Sequence, residues 1–385
     1  MRIAHIITRM ILGGAQENTL WCCRDLMSDY DDDVLLITGP EAGPEGSLLD
    51  QVRAANVPLQ IVRPLRREIR PWHDLRALPA IKRVLRAFRP DVVHTHSAKA
   101  GFWGRVAAHS IGVPAVVHTV HGAPFHSYQG RVVRNLIRWS EKFAADRCHA
   151  LISVADAMTD LLVSADVAPR DKFTTIYSGM EIEPFLDAGR RRQEARQSLG
   201  YEPQHVVVGK VARLFHLKGH EYVIQAARQV IARAPNTRFL LVGDGLLRGR
   251  IQRQIDAADL TPYFQLVGLV PAEEIPRLLA ATDMVVHASL REGLARVLPQ
   301  ALLVGRPAIS FDIDGAREVI HPGSTGLLVN AQDIDGLATA ILELVENPPL
   351  RERMGTAGSR HCRELFAHQF MTRRIREVYT RVLGC

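Results

Sequence analysis

Residues 206–227 read VVVGKVARLFHLKGHEYVIQAA, and this stretch decides the fold because it begins a second strand–loop–helix unit halfway along the chain. A β-branched run ends near Ala212, a loop carries Arg213 and Lys218, and a helix opens around His220. The same alternation extends in both directions. Before it, strands are predicted over residues 2–8, 34–38, 91–95, 115–120 and 150–154. From it onward, strands are predicted over residues 205–211, 238–242, 284–288 and 308–311, with a short additional strand ending at Gly268. Strands separated by helices form parallel sheets wound right-handedly, with helices on both faces. Two such sets predict an α/β protein of two Rossmann-like domains whose sheets face each other across a cleft.

A chain of 385 residues suits two domains, each able to bury its own core. The break is expected between residues 178 and 204, where glycine, proline and charge accumulate without a strand pattern. This gives an N-terminal domain over residues 1–183, a C-terminal domain over 184–365, and a segment 366–385 that packs back on the first domain as the end of a long helix over roughly residues 351–383. The first apolar run is interrupted by His5, Thr8 and Arg9, so no secretory signal is expected. No stretch is apolar for long enough to predict a spanning helix. The five cysteines are scattered and form no CxxC pair, which suits reduced thiols in a cytoplasm and disfavours metal binding through sulfur.

The net charge of +7 is modest for this length, but its distribution is uneven. Residues 63–89 carry nine basic side chains against two acidic ones. Residues 130–143, GRVVRNLIRWSEKF, set Arg131, Arg134, Arg138 and Lys142 at helical spacing among Val133, Leu136, Ile137 and Trp139. Such a segment can lie on an anionic membrane surface, while a solvated helix face is the ordinary reading of a charged helix. No nucleic-acid motif accompanies the charge, so no nucleic-acid partner is expected.

In open parallel sheets, ligands bind beyond the carboxyl ends of the strands. Arg213 and Lys218 follow one such end and suit a diphosphate, arginine as a bidentate donor and lysine as a point charge; the alternative is two surface cations on a loop. In residues 289–310, SLREGLARVLPQALLVGRPAIS, Glu292 lies in the loop after a strand, and a helix is expected to begin near Ala295. The amides of Leu294, Ala295 and Arg296 then point out of the helix start toward hydroxyls or negative charge, with Gln300 one turn further on. Gly13 and Gly14, in GGAQ, either let the backbone approach a ligand or make a tight turn. No GxGxxG follows a strand in the first half, which disfavours a dinucleotide cofactor. His121 ends the strand over 115–120, where an imidazole can bond a sugar hydroxyl or move a proton; His118 and His126 read as packed histidines. Gly243 to Gly245 reads as a turn, and the backbone of Gly268 is placed to meet the edge of a nucleobase. Asp31–Asp33 and Asp312–Asp314 imitate a metal-binding pair, but the first sits before a strand, at the wrong end for ligands, and reads as a solvated turn, and the second offers too few oxygens, so no metal is expected.

Together, GGAQ, VHTHSAKAG (93–101), TVHG (119–122), VARLFHLKGH (211–220), GDGLLR (243–248), EGLARVLPQAL (292–302) and DGAREVI (314–320) resemble the retaining glycosyltransferase family 4, of GT-B architecture, over nearly the whole chain. The resemblance implies transfer from a nucleoside-diphosphate sugar, UDP-linked in preference to GDP-linked, to an acceptor hydroxyl of a glycan or lipid-linked saccharide of envelope polysaccharide synthesis. It implies hexosyl or N-acetylhexosaminyl transfer with retained configuration, no metal and no other cofactor, by a protein in the cytoplasm or on the inner membrane face. It assigns Arg213 and Lys218 to the leaving diphosphate, Glu292 with the amides of Leu294 and Ala295 to the donor sugar, His121 to the same sugar from the first domain, and Gly13 and Gly14 to the phosphate and acceptor side. The family pattern has a second glutamate where this chain has Gln300, a neutral side chain that keeps one carbonyl acceptor for a ribose hydroxyl. An epimerase of related fold and a non-catalytic sugar-nucleotide binding protein are the alternatives.

Overall fold

The computed structural model describes residues 1–40, 46–68, 70–126 and 129–384. The chain divides into two α/β units, Met1–Met180 with Phe366–Cys385, and Glu181–Leu365. The first is built on strands β1 (Arg2–Ile7), β2 (Asp33–Thr38), β3 (Leu59–Ile61), β4 (Val92–His96), β5 (Ala115–Val120), β6 (Ala150–Ser153) and β7 (Phe173–Thr175), the second on β8 (Val206–Val211), β9 (Thr237–Val242), β10 (Phe264–Gly268), β11 (Met284–His287), β12 (Ala308–Phe311) and β13 (Gly326–Val329). The sheet orders are β3-β2-β1-β4-β5-β6-β7 and β10-β9-β8-β11-β12-β13, every pair parallel. Each unit is therefore the doubly wound fold expected from the sequence.

Each sheet grows outward in one direction from its first strand and then in the other. Connections leave opposite faces on either side of β1/β4 and β8/β11, so a crevice opens at the carboxyl ends of those two pairs. The central strands are apolar nearly throughout because helices cover both faces. In the second unit Val208, Phe239, Leu241, Val286 and Phe311 form one core with Val223, Ala227 and Ile341 from the covering helices.

Three strands escape sequence reasoning. β3 and β7 have three residues each at the sheet edges, and β13 is a four-residue edge strand; pairing with a neighbour defines them, since none is long enough to show a pattern. The segment over 178–204 carries two short helices, Glu183–Arg190 and Arg192–Ser198. The long helix expected over 351–383 is two helices, Pro348–Leu365 and His368–Leu383. It breaks because the Phe366 carbonyl accepts from the Met180 amide at 2.8 Å and the His368 amide donates to Met180 at 3.2 Å, which takes those groups out of the helical ladder. The last helix packs on the helix Gly14–Tyr30. There Asp25 Oδ2 accepts from Thr372 Oγ1 at 2.8 Å and lies 2.7 Å from His368 Nδ1, and Asp32 pairs with Arg376 at 3.0 Å.

No helix among the described residues is long and apolar enough to cross a membrane. Cys22, Cys23, Cys148 and Cys362 are buried free thiols, while Cys385 lies outside the described residues. The helices Pro71–Phe88, Ala98–Ser110 and Arg131–Ala145 pack side by side in the first unit. The outer face of the last exposes Val132 (81%), Leu136 (64%) and Trp139 (60%) among its arginines. Only Glu141, Ala144 and Ala145, near its carboxyl end, are buried.

Candidate functional site

At the β8/β11 crevice, Lys218 Nζ lies 2.5 Å from Glu292 Oε1, and His287 Nε2 approaches the same oxygen at 3.3 Å. Residues from adjacent strands that are distant in sequence thus meet at the switch point. The contact depends on Gly219, which has φ +66° at the start of the helix His220–Arg233; a Cβ there would lie 1.8 Å from the Ala288 carbonyl oxygen. Glycine alone fits both the left-handed backbone and the approach to β11. The Leu290 amide donates to Leu217 at 2.8 Å and ties the two loops again. A third loop joins them, because the Glu292 amide donates to Asp314 Oδ2 at 2.6 Å.

The two acids that imitate a metal site therefore have separate tasks. Asp314 holds the Glu292 backbone, and Asp312 pairs with Arg317. The acidic run before β2 is also divided, since Asp32 is spent on Arg376.

Burial alone would raise the Glu292 carboxyl, but its contacts with His287 and Lys218 outweigh burial and hold it well below the usual carboxylate range. Burial pushes His287 down, so its ring is neutral at pH 7. Lys210, the fifth of the six residues of β8, is fully buried, and its Nζ has no hydrogen-bond partner among the described residues. Burial first, and then the charge of Lys218, push its ammonium group down to about 7.

Arg213 shares the loop with Lys218, its guanidinium 5.1 Å from the Phe215 ring. This loop is braced by the turn at 243–245, where the Leu214 amide donates to Asp244 at 2.9 Å. Gly268 ends β10 at φ +87°, and its carbonyl accepts from the Gly243 amide at 2.9 Å. One lone pair of that carbonyl is therefore committed and one remains.

The helix expected from Ala295 begins at Val297 and ends at Leu303. Leu294, Ala295 and Arg296 are consequently loop residues, and no acceptor among the described residues meets the amides of Leu294 or Ala295. Gln300 is the fourth residue of the helix, half-buried, its amide on the Arg296 carbonyl at 3.1 Å.

In the first unit, Gly13 has extended backbone and begins the helix Gly14–Tyr30, its carbonyl accepting from the amides of Gln16 and Glu17 at 3.1 and 3.0 Å. Thr8 Oγ1, just beyond β1, meets Ser97 Oγ, just beyond β4, at 2.8 Å across the switch point. His121 follows β5, its Nε2 3.1 Å from Nδ1 of His96. Beside it a cavity of about 320 Å³ runs from Ser97 and Gly122 to the buried Arg105–Glu141 ion pair. His118 is buried and bonded to Thr95 at 2.9 Å, as a packed histidine. Among the described residues, the side chains grouped closely enough for a metal are His5, His94 and His96. His94 already meets the Tyr379 and Thr119 hydroxyls at 2.5 and 2.7 Å.

Sequence reasoning missed Lys210, His287, Asp314, His5 and His96 as members of these clusters. For Lys210, His287, His5 and His96 the available signal was a cation or imidazole within an otherwise apolar central strand, a position that packing alone does not favour; Asp314, in a loop, carried no such signal.

Residues 191–361 match the family of group 1 glycosyl transferases, and residues 13–179 match the glycosyl transferase 4-like domain. The chain is 30% identical over 373 residues to the Escherichia coli UDP-Gal:alpha-D-GlcNAc-diphosphoundecaprenol alpha-1,3-galactosyltransferase, covering 96% of this chain and 93% of that one. It is 23% identical to the Staphylococcus aureus capsular polysaccharide biosynthesis glycosyltransferase CapM, over 83% of this chain and 84% of that one. Among solved structures, Anabaena Alr3699/HepE in complex with UDP superposes with a TM-score of 0.81 at 22% identity, over 99% of this chain and all of the other. The chain belongs to the group 1 glycosyltransferase family and has the GT-B fold. It is a glycosyltransferase.

Proposed function

We propose that the chain is a retaining, metal-independent transferase that moves a hexosyl or N-acetylhexosaminyl group from a UDP-sugar to a lipid-linked saccharide of envelope polysaccharide synthesis. The observation that carries this reading is the Lys218–Glu292 pair at the switch point. Two charges, each about one-fifth exposed, satisfy each other there, and both can be redirected by one ligand. Donor hydroxyls donate to Glu292 and to the carbonyls nearby, the amides of Leu294 and Ala295 donate to donor oxygens, and the diphosphate takes Lys218 and Arg213. Stabilising the charge that develops on the departing diphosphate is the largest contribution such a site makes. His121 contacts the donor sugar, Gly13 and Gly14 line the phosphate and acceptor side, and the Gln300 carbonyl accepts from a ribose hydroxyl. The acceptor oxygen bonds to the anomeric carbon on the face from which the diphosphate leaves, and the acceptor proton passes to a diphosphate oxygen. Configuration is thereby retained without a protein nucleophile, and no metal is required.

The UDP preference is supported by the UDP complexes of HepE and by the UDP-galactose donor named for the Escherichia coli relative. We further infer that the protein works in the cytoplasm, with the exposed apolar residues of the helix Arg131–Ala145 resting on an anionic membrane. A panel of nucleotide sugars tested for thermal stabilisation, followed by transfer to a diphospholipid-linked saccharide and NMR of the product anomer, tests the proposal. Lys218→Ala is expected to abolish transfer in a folded protein. Near-normal turnover in that variant, an inverted product, or turnover without acceptor would overturn the reading, the last in favour of an epimerase.

A further inference from the structure

We propose that His5, His96 and His121 form a hydrogen-bonded chain of imidazoles that fixes the tautomer of His121, making His96 and His5 positioning residues. Its catalytic consequence rests on the reading of His121 as a donor-sugar contact.

The chain runs across three neighbouring strands. His5 lies in β1, His96 ends β4, and His121 follows β5. His121 Nε2 is 3.1 Å from His96 Nδ1, and His96 Nε2 is 3.0 Å from His5 Nδ1. Both nitrogens of His96 are thus used inside the chain. His94 lies against His96 with ring centroids 4.3 Å apart and the rings tilted by 36°, but stays outside, because its nitrogens meet the hydroxyls of Tyr379 and Thr119.

His5 and His96 are fully buried. Burial pushes His5 down to about 3 and His96 well below its ordinary value, so both rings are neutral at pH 7. A neutral imidazole carries one N–H and one bare nitrogen. Each N···N contact needs one proton between its two atoms, and two arrangements satisfy both contacts. In one, His5 and His96 are protonated on Nδ1, His121 Nε2 accepts, and the His121 proton sits on Nδ1. In the other, every proton sits on Nε2 and His121 Nδ1 is bare. The three tautomers change together or not at all.

The far end of the chain selects between them. His5 Nε2 is buried and has no hydrogen-bond partner among the described residues. The second arrangement strands an N–H there, and the first leaves only a bare acceptor. Buried orphan N–H groups are the rarer of the two in folded proteins. The first arrangement is therefore the resting one, and it makes His121 Nδ1 a hydrogen-bond donor.

The test uses full-length protein labelled with ¹⁵N-histidine and kept in chelator. Ring ¹⁵N shifts separate protonated from bare nitrogens, and couplings across the N···N contacts report the chain directly. Parent protein is expected to show Nδ1–H on His5, His96 and His121. His5→Leu, which removes the far end, is expected to turn the single tautomer of His121 into a mixture, and His5→Asn, which restores an amide donor near Nδ1, to recover it. The parent spectrum needs no variant to fold. Nε2–H on His121 in the parent, or an unchanged His121 pattern in His5→Leu, would overturn the lock. The kinetic arm predicts a lower kcat at unchanged donor KM in His96→Asn, smaller than the loss in His121→Ala. A tautomer mixture in His5→Leu with unchanged kcat overturns the sugar contact of His121 while the lock stands.

Discussion

Replacing Lys210 by methionine should stabilise the second unit, and the gain should shrink as pH rises. The side chain is 1% exposed in β8 and its ammonium has no hydrogen-bond partner among the described residues, so the folded state resists its charge. Its pKa falls from the ordinary 10.5 to about 7. Between those values the unfolded chain holds more protons than the folded one, so stability rises with pH across that window. At about 1.4 kcal/mol per pK unit, the penalty at pH 7 is roughly 4 kcal/mol, falling to roughly 2 kcal/mol at pH 9. Methionine has similar length and nothing to ionise, so Lys210→Met should exceed the parent by that order at pH 7 and by about half as much at pH 9. Urea titration with pulsed hydrogen exchange, read on peptides from β8 and β9, assigns the transition to this unit. Equal stability of the two proteins at both pH values would refute the argument, and a pH-independent gain would show that packing, not charge, is responsible.

Gln300→Glu should tighten donor binding by on the order of 1 kcal/mol through a charge-assisted bond to ribose, and Gln300→Ala should weaken it, with kcat little changed; calorimetric donor titrations unaffected by either change would remove Gln300 from the ribose. Asp314→Ala leaves the Glu292 amide without its acceptor, so kcat should fall while the melting temperature changes little, and steady-state kinetics beside a thermal scan check this. Leu136→Ser with Trp139→Ser should abolish sedimentation with anionic vesicles, and high salt should abolish it in the parent; sedimentation of the double variant at the parent level would exclude the Arg131–Ala145 face.

Most of the fold was legible because central parallel strands are apolar on both faces and stand out between helical patterns. β3 and β7 were not, since three edge residues carry no periodicity. The break after Leu365 was not either, because a backbone bridge to Met180 causes it, and helical spacing does not register such a bridge. Of the candidate site, Arg213, Lys218, Glu292, Gln300 and His121 could be marked from their places after strands. Their companions could not, because Lys210 and His287 sit within apolar runs and Asp314 belongs to a third loop.

The order of residues alone determined that there are two doubly wound units, where their central strands end, and which side chains stand at those ends. Local pattern suffices for this, because period and turn chemistry act within a few residues. Tertiary structure decided which of those ends meet. Gly219 brings the loop after β8 against β11, and only then does Lys218 close on Glu292. Adjacent strands likewise join His5, His96 and His121 into one hydrogen-bonded row across 116 residues of sequence. Proximity of this kind is set by sheet order, which no single segment encodes.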